Sequence, residues 1–353
     1  MLKKEKVDNR LSSAITWLRF PLIFLIIMLH CYSVQRLGGN HEMFFKAVYP
    51  FYNWLGETGV PGFFFISGYL FFLSKKTYTQ KLSTRIHTLF IPYLLWNTVL
   101  LTIYLAAYAI GFPQNINGKS LADYGLIDYV RLYWDRGSHD NGNFVPLLCP
   151  LWYIRNLIII SLLSPLLLFI IKYIREVYIL IIALWWMWTY HNAFIPQTIL
   201  FFSIGAYFSI HDINPLQFVL ERKKIFLSLF TIFAIGDVFT HTIYGTPINL
   251  QIHRLALIIN LPTLLLLADY CNKNHLLTHP ILTNAAFIVF CVHYPIVVAL
   301  RKICISQFSN ATDTVHIILY FICITLSTIL SLCVYLLLNQ YFPKLKNLLS
   351  GNR

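Results

Sequence analysis

Arg19 and His30 stand in one apolar run, LRFPLIFLIIMLH, with ten residues between them. A guanidinium binds phosphate or carboxylate. An imidazole titrates near neutrality, so it can move protons or carry an acyl group for a moment. On a helix, eleven steps of about 100° close almost three turns, so both side chains share a face roughly 16 Å apart along the axis. That is about half the hydrocarbon thickness of a bilayer. The spacing therefore predicts a fixed positive charge at one depth and a titratable group at another.

Further ionisable residues sit in or beside apolar runs. Such groups are costly within a membrane, about 2.5–3.5 kcal/mol for a central arginine, and are functional candidates for that reason. Glu57 lies in GETGVPGFFFISGYLFF, which Gly56, Gly59, Pro61, Gly62 and Gly68 interrupt. The expectation there is a broken helix that lines a cavity or is buried in protein, with Glu57 accepting a hydrogen bond from His30 and orienting it. Lys81 and Arg85 fall four apart in KLSTRIH, a basic pair suited to phosphate. Trp152 and Arg155 open the run LWYIRNL, and Arg254 follows His253 in QIHRLALIIN. All lie near the outer ends of their runs, where the arginines would hold an acceptor or a developing oxyanion. His293 is near the middle of FIVFCVHYPIV. Each residue also has a structural reading: a snorkelling or anchoring cation, or a satisfied core histidine. The 7 cysteines sit mostly in apolar runs and read as small core residues. No CxxC pair or Cys/His ligand spacing occurs, so no metal is expected.

The elements that position these residues are expected to be membrane helices. Of 353 residues, 58% are hydrophobic and 12% charged, against about 25% charged in soluble domains. Ten apolar runs reach or approach spanning length, near 15–35, 46–73, 89–112, 151–171, 177–190, 195–210, 225–240, 249–268, 284–303 and 314–340. The fifth and sixth are short and could form one tight helical hairpin. The formal charge of +13 is explained by topology rather than nucleic acid. Most of the 27 lysines and arginines fall at the chain ends and in alternate loops, which places those in the cytoplasm. The expected fold is thus an all-α polytopic membrane protein, about ten transmembrane helices with both termini cytoplasmic. The chain reads as one domain over 1–353 with an outward loop at about 113–148. No small-residue cleavage site follows the first run, which is expected to remain as a signal anchor.

The Arg-x10-His line, then VPGFFFISGYLFF, Arg85 ahead of an IPY segment, LWYIRNL and FIVFCVHYPIV resemble, in that order, the marks of the integral-membrane acyltransferase 3 family. The similarity covers nearly the whole chain. It implies a ten-helix membrane core that takes an acyl group, usually acetyl from cytoplasmic acetyl-CoA, and passes it to a sugar hydroxyl of an envelope polysaccharide or lipid-linked glycan. It would make Arg19 and His30 the paired essential residues and Arg85 part of the basic motif for the CoA phosphates. That motif often has two arginines three apart; here Leu82 takes the first place and Lys81 would substitute. Phe290 and Cys291 replace the more usual Ile-Tyr. The expected partners are the lipid bilayer of the inner (plasma) membrane, acyl-CoA and the glycan acceptor, with no nucleic acid. The rival class is a polytopic transporter or flippase of a lipid-linked glycan or small anionic solute. Buried ionisable groups and a Gly/Pro-broken helix would serve it too, but no internal repeat is visible.

Overall fold

A computed structural model describes residues 9–34, 37, 41–112, 115–137, 143–189, 194–243 and 246–352. In the outward loop expected at 113–148, positions 113–114 and 138–142 lie outside the described residues, as do 190–193 between the fifth and sixth runs.

The first apolar run forms α1 (Asn9–His30), which continues through Pro21. Then come α2 (Glu42–Ala47), α3 (Tyr49–Glu57), α4 (Gly59–Leu73) and α5 (Tyr78–Arg85). A single π turn at Ile86–Phe90 joins α5 to α6 (Ile91–Ala109). The following loop holds a two-residue hairpin, β1 (Asn115–Ile116) antiparallel to β2 (Lys119–Ser120), and α7 (Leu126–Arg131). After it run α8 (Trp152–Leu162), α9 (Ser164–Ile174), α10 (Glu176–Trp188), α11 (Phe194–Ile210) and α12 (Pro215–Glu221). The chain ends in α13 (Lys223–Thr240), α14 (Pro247–Lys273), α15 (Pro280–Phe308), α16 (Asp313–Tyr341) and α17 (Pro343–Ser350). Local sequence sets the starts. Proline occupies the first turn of α6, α9, α12, α14, α15 and α17, where its missing N–H costs no hydrogen bond. Thr77 and Gln80 close a reciprocal cap on α5.

The all-α polytopic fold follows, and part of the expected ten spans meets the length and apolarity of a crossing. Among the described residues, five helices are long and apolar enough to cross a membrane: α1, the continuous α5–α6 rod, α14, α15 and α16. Counting the bent pairs α8/α9 (69°) and α11/α12 (92°) as one span each gives up to seven. The reasons are physical. The second run divides at Thr58 into α3 and α4, neither of spanning length. The fifth gives only the 13-residue α10, against about 20 residues for a crossing. The seventh, α13, carries Lys223, Lys224 and Asp237.

The glycines of the second run do something other than break the helix. The one interruption is Thr58, whose N–H still returns to the Leu55 carbonyl at 3.1 Å. Gly56, Gly59 and Gly62 turn toward Leu29, Ile26 and Leu22 of α1. Gly68 faces α11, where a Cβ would stand 2.0 Å from the Phe202 carbonyl oxygen; one at Gly205 would stand 2.0 Å from that of Phe65. The α4 and α11 backbones therefore touch directly, the close packing that small residues give apolar helices. The α1 helix is the hub, packed against α3, α4, α14 and α15.

Candidate active site

Two regions lie along α1, one at its Arg19 end and one at its His30 end. At the first, α1, α4, α5, α8 and α15 enclose a cavity of about 350 Å³. Arg19 and Arg85 both line it, with Ser67, Tyr153 and Asn284 as further polar groups among Ile23, Leu70, Phe287 and Phe290. Residues of sequence motifs on separate helices thus line one cavity. Lys81 stands beside Arg85: its Nζ is 5.0 Å from the Phe71 ring centroid and the Arg85 guanidinium 5.4 Å from the same ring. Ser67 Oγ and Tyr153 Oη are 3.1 Å apart in the wall. Two guanidiniums in a mostly apolar cleft suit a ligand with a phosphorylated end and an uncharged arm.

At the other end, His30 closes α1 and is half-buried. Its ring lies 5.6 Å, centroid to centroid, from His293 and 5.2 Å edge-on from Tyr294, both on α15. His293 is fully buried; its Nδ1 meets the Val289 carbonyl of its own helix at 3.2 Å. Its Nε2 has no hydrogen-bond partner among the described residues. Phe290 connects the two regions. It lines the cavity and lies 6.1 Å from His293 and 5.9 Å from Tyr153. One aromatic side chain therefore stands between the arginine cavity and the imidazole pair.

Tyr294, Arg136 and Arg301 were not among the expected site residues. Arg136, from the loop before α8, lies near Tyr294. Arg136 and Arg301 both lie within electrostatic reach of His30. A signal for Arg301 is present in the sequence: it follows Tyr294 by seven residues, two helical turns, and so shares its face. Arg136 carries no such signal, because only tertiary folding brings its loop to α15.

The remaining expected residues are placed as follows. The imidazole that Glu57 holds is His253 of α14, where the expectation had been His30. His253 Nε2 lies 3.1 Å from Glu57 and its Nδ1 2.8 Å from Asp237 of α13, all three largely buried. The reason is helical phase. Gly56 is turned onto Leu25 and Leu29 of α1, so the next residue points about 100° away. Arg254, 1% exposed, donates to the carbonyls of Trp186 at 2.5 Å and Met187 at 2.8 Å. It thereby satisfies acceptors that the last turn of α10 leaves open. Arg155 donates to the carbonyls of Trp134 at 2.7 Å and Phe144 at 2.9 Å and lies 4.8 Å from the Trp134 ring, holding the preceding loop to α8. Trp152 stacks on Phe194 with ring centroids 3.7 Å apart. The described donors of both arginines thus go to protein carbonyls, which ties elements together. Among the described residues, no group of three or more His, Cys, Asp or Glu could hold a metal ion.

Over 261 residues the chain is 29% identical to the succinoglycan biosynthesis protein ExoH of Rhizobium meliloti (strain 1021), covering 66% of this chain and 64% of that protein. The chain thus spans under two thirds of that relative's length. No solved structure matches it. Residues 12–336 match the acyltransferase domain family, from the second turn of α1 into the C-terminal part of α16. The chain belongs to this acyltransferase domain family.

Proposed function

We propose that the protein is a multi-pass O-acyltransferase of the inner (plasma) membrane. It moves an acyl group, acetyl in the simplest case, from cytoplasmic acyl-CoA to a sugar hydroxyl of an envelope polysaccharide or lipid-linked glycan. Family membership supports acyl transfer, and the relative named for succinoglycan biosynthesis supports a polysaccharide acceptor. The observation that carries the donor assignment is the convergence of Arg19 and Arg85 on one cavity that ends at Phe290, next to His293 and His30. The placement of basic residues supports both chain ends facing the cytoplasm. Ten crossings would require α3/α4, α10 and α13 to span as well.

In this account Arg19 and Arg85, with Lys81 beside them, hold the CoA phosphates, and the pantetheine arm runs along Leu70, Phe287 and Phe290. The thioester reaches His30. Its imidazole takes the proton of the acceptor hydroxyl as that oxygen attacks the carbonyl carbon. The new C–O bond forms, the C–S bond breaks, and the imidazolium returns its proton to the CoA thiolate. An acyl-imidazole route uses the same residues in two steps, and trapping of an acylated His30 distinguishes it. Tyr294 and His293 flank the ring and fix its orientation. The donor assignment is tested by acetyl-CoA binding to purified protein in detergent. Saturable binding that dephospho-CoA matches less well is expected; no binding by folded protein overturns the assignment and favours a transporter.

A further inference from the structure

The space along α1 does not end at Arg19. Toward the start of the helix lies a second hollow, of about 190 Å³, formed by α1, the end of α14, the loop after it and the start of α15. Thr283 of α15 lines both hollows, so the two adjoin. The α1 helix joins them as well. Ser12 and Thr16 line the smaller hollow, Arg19 and Ile23 the larger. Their spacings of four, three and four residues put all four on one helical face. His30 continues that face. One stripe of α1 thus passes from Ser12 through Arg19 to His30, eighteen residues and about 27 Å.

The two hollows differ in chemistry. The larger holds two guanidiniums. The smaller is lined by the hydroxyls of Ser12, Thr16, Thr278 and Thr283 and the amide of Asn272, beside the Trp17 indole. None of the described residues that line it is charged. The neighbouring cations turn to Asp269 instead: Arg10 donates to both its carboxylate oxygens, and Lys273 Nζ lies 3.2 Å from it. Two of the walls are fixed by hydrogen bonds. Trp17 Nε1 donates to the Leu276 carbonyl at 2.8 Å and Asn272 Nδ2 to the Ala268 carbonyl at 2.9 Å. Hydroxyls and amides both donate and accept. That mixture suits a nucleobase and a ribose, whereas a phosphate calls for the arginines next door.

We propose that this hollow is a nucleoside subsite: it takes the adenosine end of the acyl donor, with the phosphates at the Arg19 junction. The proposal deepens the acyl-CoA assignment and rests on it. It makes Thr16, Asn272, Thr278 and Thr283 the residues that select an acyl-CoA over the same acyl group carried on phosphopantetheine alone.

Isothermal titration of the full-length protein in detergent tests this with acetyl-CoA and with S-acetyl-4′-phosphopantetheine, which lacks the nucleotide. The wild type is compared with Thr16→Trp and Thr278→Trp, which fill the hollow from α1 and from the loop. Both positions are exposed, and size-exclusion profiles check folding. The wild type is expected to bind acetyl-CoA about tenfold or more tighter than the truncated donor, the scale of a few neutral hydrogen bonds. Each tryptophan should remove most of that gap by weakening acetyl-CoA alone, and either serves if the other misfolds. Equal affinity of the wild type for both donors overturns the subsite. So does a gap that survives in a folded tryptophan variant, or an equal loss for both donors, which marks a general distortion of the cavity. A folded wild type that binds neither donor refutes the acyl-CoA assignment itself, and the subsite with it.

Discussion

Replacing Arg85 by Gln removes one of the two guanidiniums that line the cavity while keeping a side chain of similar length. Arg85 is half-buried and stacked near Phe71, so it is held in place before a ligand arrives. A hydrogen bond to a charged group contributes about 1.5–3 kcal/mol, which is roughly 10- to 150-fold in Kd. Arg19 is exposed at its position on α1, so screening places Arg19→Gln toward the lower end of that range. Lys81 is not among the cavity-lining residues, and Lys81→Gln should have the smallest effect of the three. The phosphates bind alike in ground and transition states, so the loss should appear in KM for acetyl-CoA with kcat nearly intact. Isothermal titration with acetyl-CoA and with dephospho-CoA gives the affinities, and initial-rate kinetics give the split. The gap between wild type and Arg85→Gln should narrow as ionic strength rises. An Arg85→Gln protein with wild-type affinity would refute the phosphate assignment. So would a loss confined to kcat.

Other substitutions probe the scaffold and the channel. Gly205→Ala puts a Cβ where the Phe65 carbonyl oxygen now lies 2.0 Å away; α4 and α11 must part, at a cost of about 1–3 kcal/mol or more. Its thermal midpoint in detergent should fall, and an unchanged midpoint contradicts the direct backbone contact. Glu57→Gln breaks the buried Glu57–His253–Asp237 group and should destabilise by about 3–5 kcal/mol. A chemical-denaturation series measures this, and a change below about 1 kcal/mol argues against a buried ion pair. Phe290→Ala widens the passage between the cavity and His293. The turnover ratio of octanoyl-CoA to acetyl-CoA should rise, and a constant ratio would show that Phe290 does not bound the acyl path.

Residues on one helix were legible in the sequence, because helical phase follows from spacing alone. Arg19 and His30 lie on α1 at the two ends of the candidate site. The cavity also joins Arg19 with Arg85, which the order of motifs had suggested. Contacts between helices were harder to read. Glu57 reached His253 instead of His30 because Gly56, one position before it, was committed to α1. The glycines of that segment signalled close packing as well as they signalled a break, and composition does not separate the two. Arg155 and Arg254 looked available for substrate, but open carbonyls at the end of α10 and in the loop before α8 engaged them. Those acceptors become visible only once helix ends are placed. Among the described residues, five to seven of the ten expected spans have the length and apolarity of a crossing, because an apolar run suggests a crossing even when a bend or a break divides it.

In the proposed mechanism acyl transfer passes through His30. Membranes containing the wild-type protein or His30→Ala, supplied with radiolabelled acetyl-CoA and the host's lipid-linked glycans, test it directly through label counted in the glycan fraction. Label from the wild type that vanishes in an equally abundant His30→Ala protein is the predicted result, and the labelled species identifies the acceptor. Equal label from both proteins would contradict the account and remove His30 from the reaction.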